Sequence, residues 1–206
     1  MPSRNIIKVY AARQFYHVYN RGVAKQAIFM DARDKKHFIK ILRRHLDAAD
    51  DSTKNDGVIY RKFDNDLELL CYCLMGNHFH LLFYLDEDTD ALRGFMQSIL
   101  TAYTMYFNKR HKRVGPLFEG VFKASRITND GYLLHITRYI HLNPRTYKTY
   151  DYSSLPYYLG RPAPAWLKPT RILELFEGDD YLQFLEDYED QAATLEAIKH
   201  ELANNP

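Results

Sequence analysis

Met75-Gly76-Asn77-His78-Phe79-His80-Leu81-Leu82-Phe83 is where this sequence can do chemistry. Two histidines flank one apolar residue. An apolar run, Leu69 to Met75, precedes them and another, Leu81 to Leu85, follows. Gly76-Asn77 is a two-residue hairpin signal, so the stretch reads as strand, turn, strand. Side chains alternate along a strand. His78 and His80 should therefore project to one side and Phe79 into the core. Two imidazoles on a rigid surface can hold one metal ion. For an isolated His-x-His the plainer reading is a pair of half-buried, hydrogen-bonded histidines, so the motif needs support from elsewhere in the chain.

A second candidate group lies downstream. The segment Gly131 to about Leu142 reads as a helix capped by Asn129-Asp130 and stopped by Pro144. Tyr139 and Asn143 are four residues apart and share a helical face. A phenol and an amide can thus address one site. Pro144 disfavours the α conformation at Asn143 and places it at the helix end. Tyr132 is a second tyrosine on the same helix. The alternative is a tyrosine packed on a sheet and an asparagine that only caps. Cys71 and Cys73, with the two histidines, have the donor types of a zinc site. Their spacing does not match the common zinc knuckles, and small buried hydrophobes is the preferred reading. In a two-residue hairpin Cys73 pairs with His80 on the same face.

The elements that must position these groups follow from hydropathy patterning. Phe15-Tyr16-His17-Val18-Tyr19 alternates and predicts a first strand, broken at Asn20-Arg21-Gly22. Asp31 to about Ala48 predicts a helix with Asp31 as N-cap and Phe38, Ile41, Leu42 and His45 on one face. Val58 to Phe63 begins or precedes the second strand, Glu68 to Met75. His78 to Leu85 is the third. Asp88 to Lys109 is a long amphipathic helix, and Phe118 to Ile127 a fourth strand. This order predicts an α+β fold, a ferredoxin-like split βαβ antiparallel sheet with the last helix on its open face. Residues 145–170 are Tyr- and Pro-rich and irregular. Residues 179–203 read as an acidic helix.

Charge is divided unevenly over the 206 residues. Residues 171–206 hold ten acids and two bases, net −8; residues 1–170 hold 26 bases and 16 acids, net +10. A basic body suggests a polyanionic partner. The bases singled out for phosphate contact are Arg21, Lys109, Arg110, Lys112, Arg113, Lys123 and Arg126. The acidic tail is expected either to cover that basic surface or to pack as an amphipathic helix. The longest apolar run has seven residues, against about 20 for a membrane span. The N-terminus lacks a signal-peptide core, and the cysteine usage fits a reducing cytoplasm. A cytoplasmic, nucleoid-associated protein is expected.

The sequence resembles the REP-associated tyrosine transposases, single-tyrosine IS200-like members of the HUH superfamily. The resemblance spans about residues 14–160. It is carried by Tyr19-Asn20-Arg21-Gly22, Ile28-Phe29-Met30-Asp31, Gly76-Asn77-His78-Phe79-His80-Leu81-Leu82, Tyr106-Phe107-Asn108-Lys109-Arg110, Gly115-Pro116-Leu117-Phe118-Glu119-Gly120, Arg138-Tyr139-Ile140-His141-Leu142-Asn143-Pro144, and Tyr152-Ser153-Ser154 with Tyr158-Leu159-Gly160. The chain departs from the family at Arg145-Thr146-Tyr147-Lys148, where a short aliphatic segment is usual, and at Glu119 and Val121. These departures bear on the DNA sequence recognised, not on the chemistry.

The resemblance implies a transposase domain over residues 1–160 and an acidic, mostly helical extension over 161–206. It implies cleavage and rejoining of single-stranded DNA at or near repeated palindromic hairpins. Tyr139 would attack the scissile phosphate, leaving a 5′-phosphotyrosine and a free 3′-OH. His78, His80 and Asn143 would hold Mg²⁺ or Mn²⁺, as mixed nitrogen and oxygen donors suit. Two other functions stay open at this level: a hairpin-DNA-binding regulator that has kept the fold without turnover, and a zinc-dependent hydrolase. Relatives act as dimers with shared sites or as monomers, and the sequence leaves both open.

Overall fold

Strand alternation settles which side of each strand meets which helix. The computed structural model describes residues 10–51, 57, 59–176 and 180–187. β1 (Gln14–Arg21), α1 (Ala32–Leu46), β2 (Leu67–Leu74), β3 (His78–Leu85), α2 (Ala91–Arg110), β4 (Lys123–Ile127) and α3 (Asp130–Leu142) follow one another in the expected order. The sheet order is β2-β3-β1-β4 with every neighbouring pair antiparallel. This is the ferredoxin-like arrangement of two split βαβ units.

Each face of the sheet has its own core. Phe79, Leu81, Phe83 and Leu85 of β3 join Tyr16 and Val18 of β1 beneath α1 and α2. α1 contributes Phe38, Ile41 and Leu42, and α2 contributes Leu92, Phe95, Met96, Ile99 and Tyr103. The other face carries His17, Tyr19, His78, His80 and Leu82, and α3 packs there through Leu133, Ile136 and Ile140. A β-bulge between Leu69 and Cys71 shifts the register of β2, so that Leu70, Cys71 and Cys73 all lie in the second core. Without the bulge, strict alternation would separate Leu70 from Cys71.

Several expected boundaries move, for identifiable reasons. β1 runs through Asn20 to Arg21 instead of breaking there, because Asn20 is paired with Phe79 and Arg21 with His78. The Asn20 side chain accepts from the Arg21 N–H and donates to the Gly120 carbonyl. β4 starts at Lys123, not Phe118. The residues before it form a single bridge, Gly22 to Phe118, and then turn at Gly120 with φ +70°. The described part of the 58–63 segment has a single bridge residue, Ile59, in place of a strand; Phe63 is buried and its N–H donates to the His45 carbonyl. α2 begins at Ala91, after a turn in which the Asp88 carboxylate accepts from the Asp90 N–H. Asp31 caps α1 as expected, accepting from the N–H groups of Arg33 and Asp34.

Residues after α3 cover the outer edge of β2. Leu74 N–H donates to Tyr152, Ser154 N–H to Tyr72, and Lys168 N–H to Leu69. An exposed strand edge is thus closed within the chain. The expected irregularity of 145–170 is broken by a 3₁₀ turn at Tyr147–Thr149 and by α4 (Leu155–Tyr158); α5 (Thr170–Leu173) follows. Trp166 and Leu167 enter the first core; Ile172, Phe176, Tyr181 and Leu185 enter the second. α6 (Tyr181–Glu186) therefore seats on the α3 side as an amphipathic helix. Residues beyond 187, including most of the expected acidic helix over 179–203, lie outside the described residues.

Candidate active site

The turn that presents His78 is held from outside. Gly76 carbonyl accepts from both Ile28 and Phe29, and Asn77 carbonyl accepts from Gly22. Gly22 is needed there: a Cβ would sit 2.1 Å from the Gln26 carbonyl oxygen. The loop between β1 and α1 thus clamps the hairpin, and both histidines start from a fixed backbone. Phe79 between them is fully buried in the first core. The His78 and His80 rings lie 5.0 Å apart on the opposite face.

α3 brings the second half of the site. The Asn129 side chain caps it, accepting from the Tyr132 N–H at 2.8 Å. Its buried stripe turns Tyr139 towards the histidines, with ring centroids 5.3 Å from His80 and 6.2 Å from His17, both edge-on. Asn143 is the C-cap. It stays in the α region (φ −58°, ψ −42°) although Pro144 follows, so the extended conformation expected from the proline is not adopted. There its Oδ1 lies 3.1 Å from His78 Nε2, and its amide is near enough to Tyr139 to work against the rise of the phenol pKa. These tertiary contacts outweigh a local preference. All four expected residues, His78, His80, Tyr139 and Asn143, come together.

Burial dominates the electrostatics. It lowers His78, and it lowers His80 well below the ordinary histidine value, with His17 and His78 adding to the effect on His80. His17 is pushed down to about 3 by burial alone. All three imidazoles are neutral at pH 7, as metal ligation requires. Burial raises the Tyr139 phenol, and the Asn143 amide pulls the other way. Tyr139 is therefore protonated at rest.

A neutral imidazole has one N–H. His78 Nδ1 lies 2.7 Å from the Asn77 side-chain oxygen and His78 Nε2 lies 3.1 Å from Asn143 Oδ1, so one N–H faces two acceptors; with the proton on Nδ1, Nε2 turns a lone pair towards Asn143 Oδ1. Ligand bonds of ~2.1 Å to an octahedral ion put neighbouring ligand atoms about 3.0 Å apart. His80 Nε2 is buried and has no protein partner. Two imidazole nitrogens and an amide oxygen on one face are the donors that could hold a divalent cation. Among the described residues no group of three or more His, Cys, Asp or Glu side chains could hold a metal. The cysteines do not join this site as thiolates. Both are buried, and burial pushes the Cys71 thiol up and that of Cys73 up to about 12. Cys73 does pair with His80 as the hairpin predicts.

Sequence reasoning missed three neighbours. His17 Nε2 lies 2.9 Å from His80 Nδ1. Tyr19 faces His17 at 5.1 Å and His80 at 5.9 Å. Asn77 orients His78. The signal for the first two was available: alternation opposite the buried Tyr16 and Val18 puts His17 and Tyr19 on the histidine face.

The expected phosphate-binding bases do not form one patch. Lys123 is exposed on the site face, 5.9 Å from the Tyr19 ring centroid. Arg126 is exposed but belongs to the opposite face of β4, in register with Tyr16. Arg21 is half-exposed and forms a two-pronged ion pair with Glu119, one contact at 3.1 Å. Arg110 pairs with Asp31 and the fully buried Asp34, so it ties α2 to α1. Arg113 donates to Asn108, while Lys109 and Lys112 are exposed at the C-terminal end of α2.

The described residues contain no helix long and apolar enough to cross a membrane. Comparison with curated proteins gives no match. Among solved structures, a REP-associated tyrosine transposase bound to a REP hairpin shares the fold: the TM-score is 0.54 at 14% identity, over 79% of this chain and 89% of that one. The family model described as "Transposase IS200 like" matches residues 35–143, a stretch that holds both histidines, Tyr139 and Asn143. The chain belongs to the IS200-like transposase family.

Proposed function

We propose that this transposase cuts and rejoins single-stranded DNA with Tyr139 as its nucleophile. The observation that carries the reading is the convergence of Tyr139, Asn143, His78 and His80, drawn from β3 and α3, on one face of the sheet. The phenol oxygen attacks the scissile phosphorus. An Oη–P bond forms as the O3′–P bond breaks, the phenol proton is lost, and the leaving oxygen takes up a proton to become a 3′-OH. The 5′-phosphotyrosine keeps the phosphoester energy, so rejoining needs no nucleotide cofactor. Mg²⁺ or Mn²⁺ held by His78, His80 and Asn143 would polarise the phosphate and stabilise the leaving oxygen.

The residues around it have separable tasks. Asn77 fixes the His78 ring. Asn143, one helical turn on from Tyr139, faces His78. Tyr19 offers a ring for stacking an unpaired base, and Lys123 a cation for the backbone. A relative of the same fold is bound to a REP hairpin, which supports hairpin DNA as the partner class here.

The test is incubation of the full chain with Mg²⁺ or Mn²⁺ and labelled single-stranded DNA carrying the host's palindromic repeats. A denaturant-resistant adduct that retains the 5′-phosphate side of the cut is expected. Tight hairpin binding with no adduct under any divalent cation would instead make the protein a DNA-binding regulator.

A further inference from the structure

We propose that His17 is a positioning residue: it holds His80 in the Nδ1–H tautomer and so directs the His80 Nε2 lone pair into the site. This rests on the metal-assisted reading above. His17 and His80 are 1% and 5% exposed, and His17 Nε2 and His80 Nδ1 are 2.9 Å apart. One proton lies between them. Either His80 donates and keeps a bare Nε2, or His17 donates and His80 carries its remaining proton on Nε2.

The surroundings favour the first arrangement. His80 Nε2 is buried without a partner. A proton there would be a buried donor with no acceptor, which is costlier than an unfilled acceptor site. In the first arrangement the leftover N–H is His17 Nδ1, which is also buried without a partner, so the choice turns on what lies beside it. Ser125 is its cross-strand neighbour on the same face, and the Ser125 hydroxyl is likewise buried without a partner among the described residues. A hydroxyl accepts as well as donates, so that end of the pair can absorb the extra proton. Metal-ligating imidazoles usually donate their other N–H to an acceptor that fixes ring and tautomer. His17 would fill that role with a second, neutral imidazole.

The tautomer can be read without metal. Nitrogen-edited NMR of the metal-free full chain should show His80 as Nδ1–H in the wild type. His17→Phe keeps an aromatic ring against Tyr19 but offers no acceptor. It should release the tautomer and weaken Mn²⁺ binding about 10- to 100-fold. His17→Gln, whose terminal oxygen stands near the place of Nε2, should restore much of both. An Nε2–H signal at His80 in the wild type overturns the proposal. So does a folded His17→Phe that binds Mn²⁺ within twofold of wild type. If the wild type binds no divalent cation at all, the metal-assisted reading fails, and the NMR result still decides for or against the role of His17.

Discussion

Asn143 Oδ1 meets His78 Nε2 at 3.1 Å, across 65 residues of chain. Asn143 also stands one helical turn on from Tyr139, and its amide works against the rise of that phenol's pKa. One amide thus joins the hairpin that carries the histidines to the helix that carries the nucleophile.

Tyr139→Phe should abolish the covalent protein–DNA adduct and leave hairpin affinity within about twofold, since one hydroxyl contributes little to a phosphate-dominated contact. Denaturing gels and a binding titration check it. An adduct surviving in Tyr139→Phe would pass the role to Tyr132, on the same helix.

Asn143→Leu should lower Mn²⁺ affinity about 10- to 100-fold while the fold is retained, because it removes the oxygen facing His78. His78→Ala or His80→Ala should do at least as much, with excess Mn²⁺ restoring only part of the cleavage. Calorimetry on the full chain reads the affinity. Unimpaired cleavage by the double histidine variant in chelator would exclude metal assistance.

Acid should destabilise the fold in a defined window. Burial holds His17 and His141 at about 3 in the folded chain, against ~6.5 when exposed. Both folded values are depressed, so the unfolded state binds more protons between these limits. Stability is then fully present above pH 6.5 and is lost as pH falls towards 3. Each histidine costs up to about 1.4 kcal/mol per pH unit, so moving from pH 7.5 to 5.5 should remove about 2–3 kcal/mol. Urea midpoints at the two values measure it. A flat profile would mean that these imidazoles are solvated.

Tyr181→Phe tests the C-terminal seat of α3. His141 Nδ1 contacts the Tyr181 hydroxyl at 2.6 Å, and His141 Nε2 contacts Ser154 Oγ at 2.8 Å. Removing the hydroxyl strands a fully buried ring nitrogen and should cost about 1–3 kcal/mol. Equal urea midpoints for the two proteins would show that α6 does not brace the helix bearing Tyr139.

Gly22→Ala should destabilise by about 1–3 kcal/mol through overpacking against Gln26. It should also reduce cleavage beyond the loss of folded protein, because Gly22 N–H anchors the Asn77 carbonyl in the turn before His78. Activity per folded molecule, corrected by circular dichroism, separates the two effects.

Much of the molecule was legible in residue order. Period-two alternation fixes a face for His78, Phe79 and His80 wherever the strand ends, and helical spacing does the same for Tyr139 and Asn143. The order of strands and helices was readable because short connections and right-handed crossovers leave few topologies. Ambiguity remained wherever an outcome depends on partners distant in sequence. Alternation assigns His17 to the histidine face, but only strand order places β1 beside β3, and hence His17 against His80. The length of β1 past Asn20, the late start of β4 and the α conformation of Asn143 were each decided by contacts across the sheet. So were the bases. Arg21, Arg110 and Arg126 look alike in a charge count, yet one pairs with Glu119, one with Asp31 and Asp34, and one is on the far face. Residue type and spacing determined which chemistry the chain can support. Tertiary packing decided which side chains share its site, because proximity across the sheet follows from strand order and not from distance along the chain.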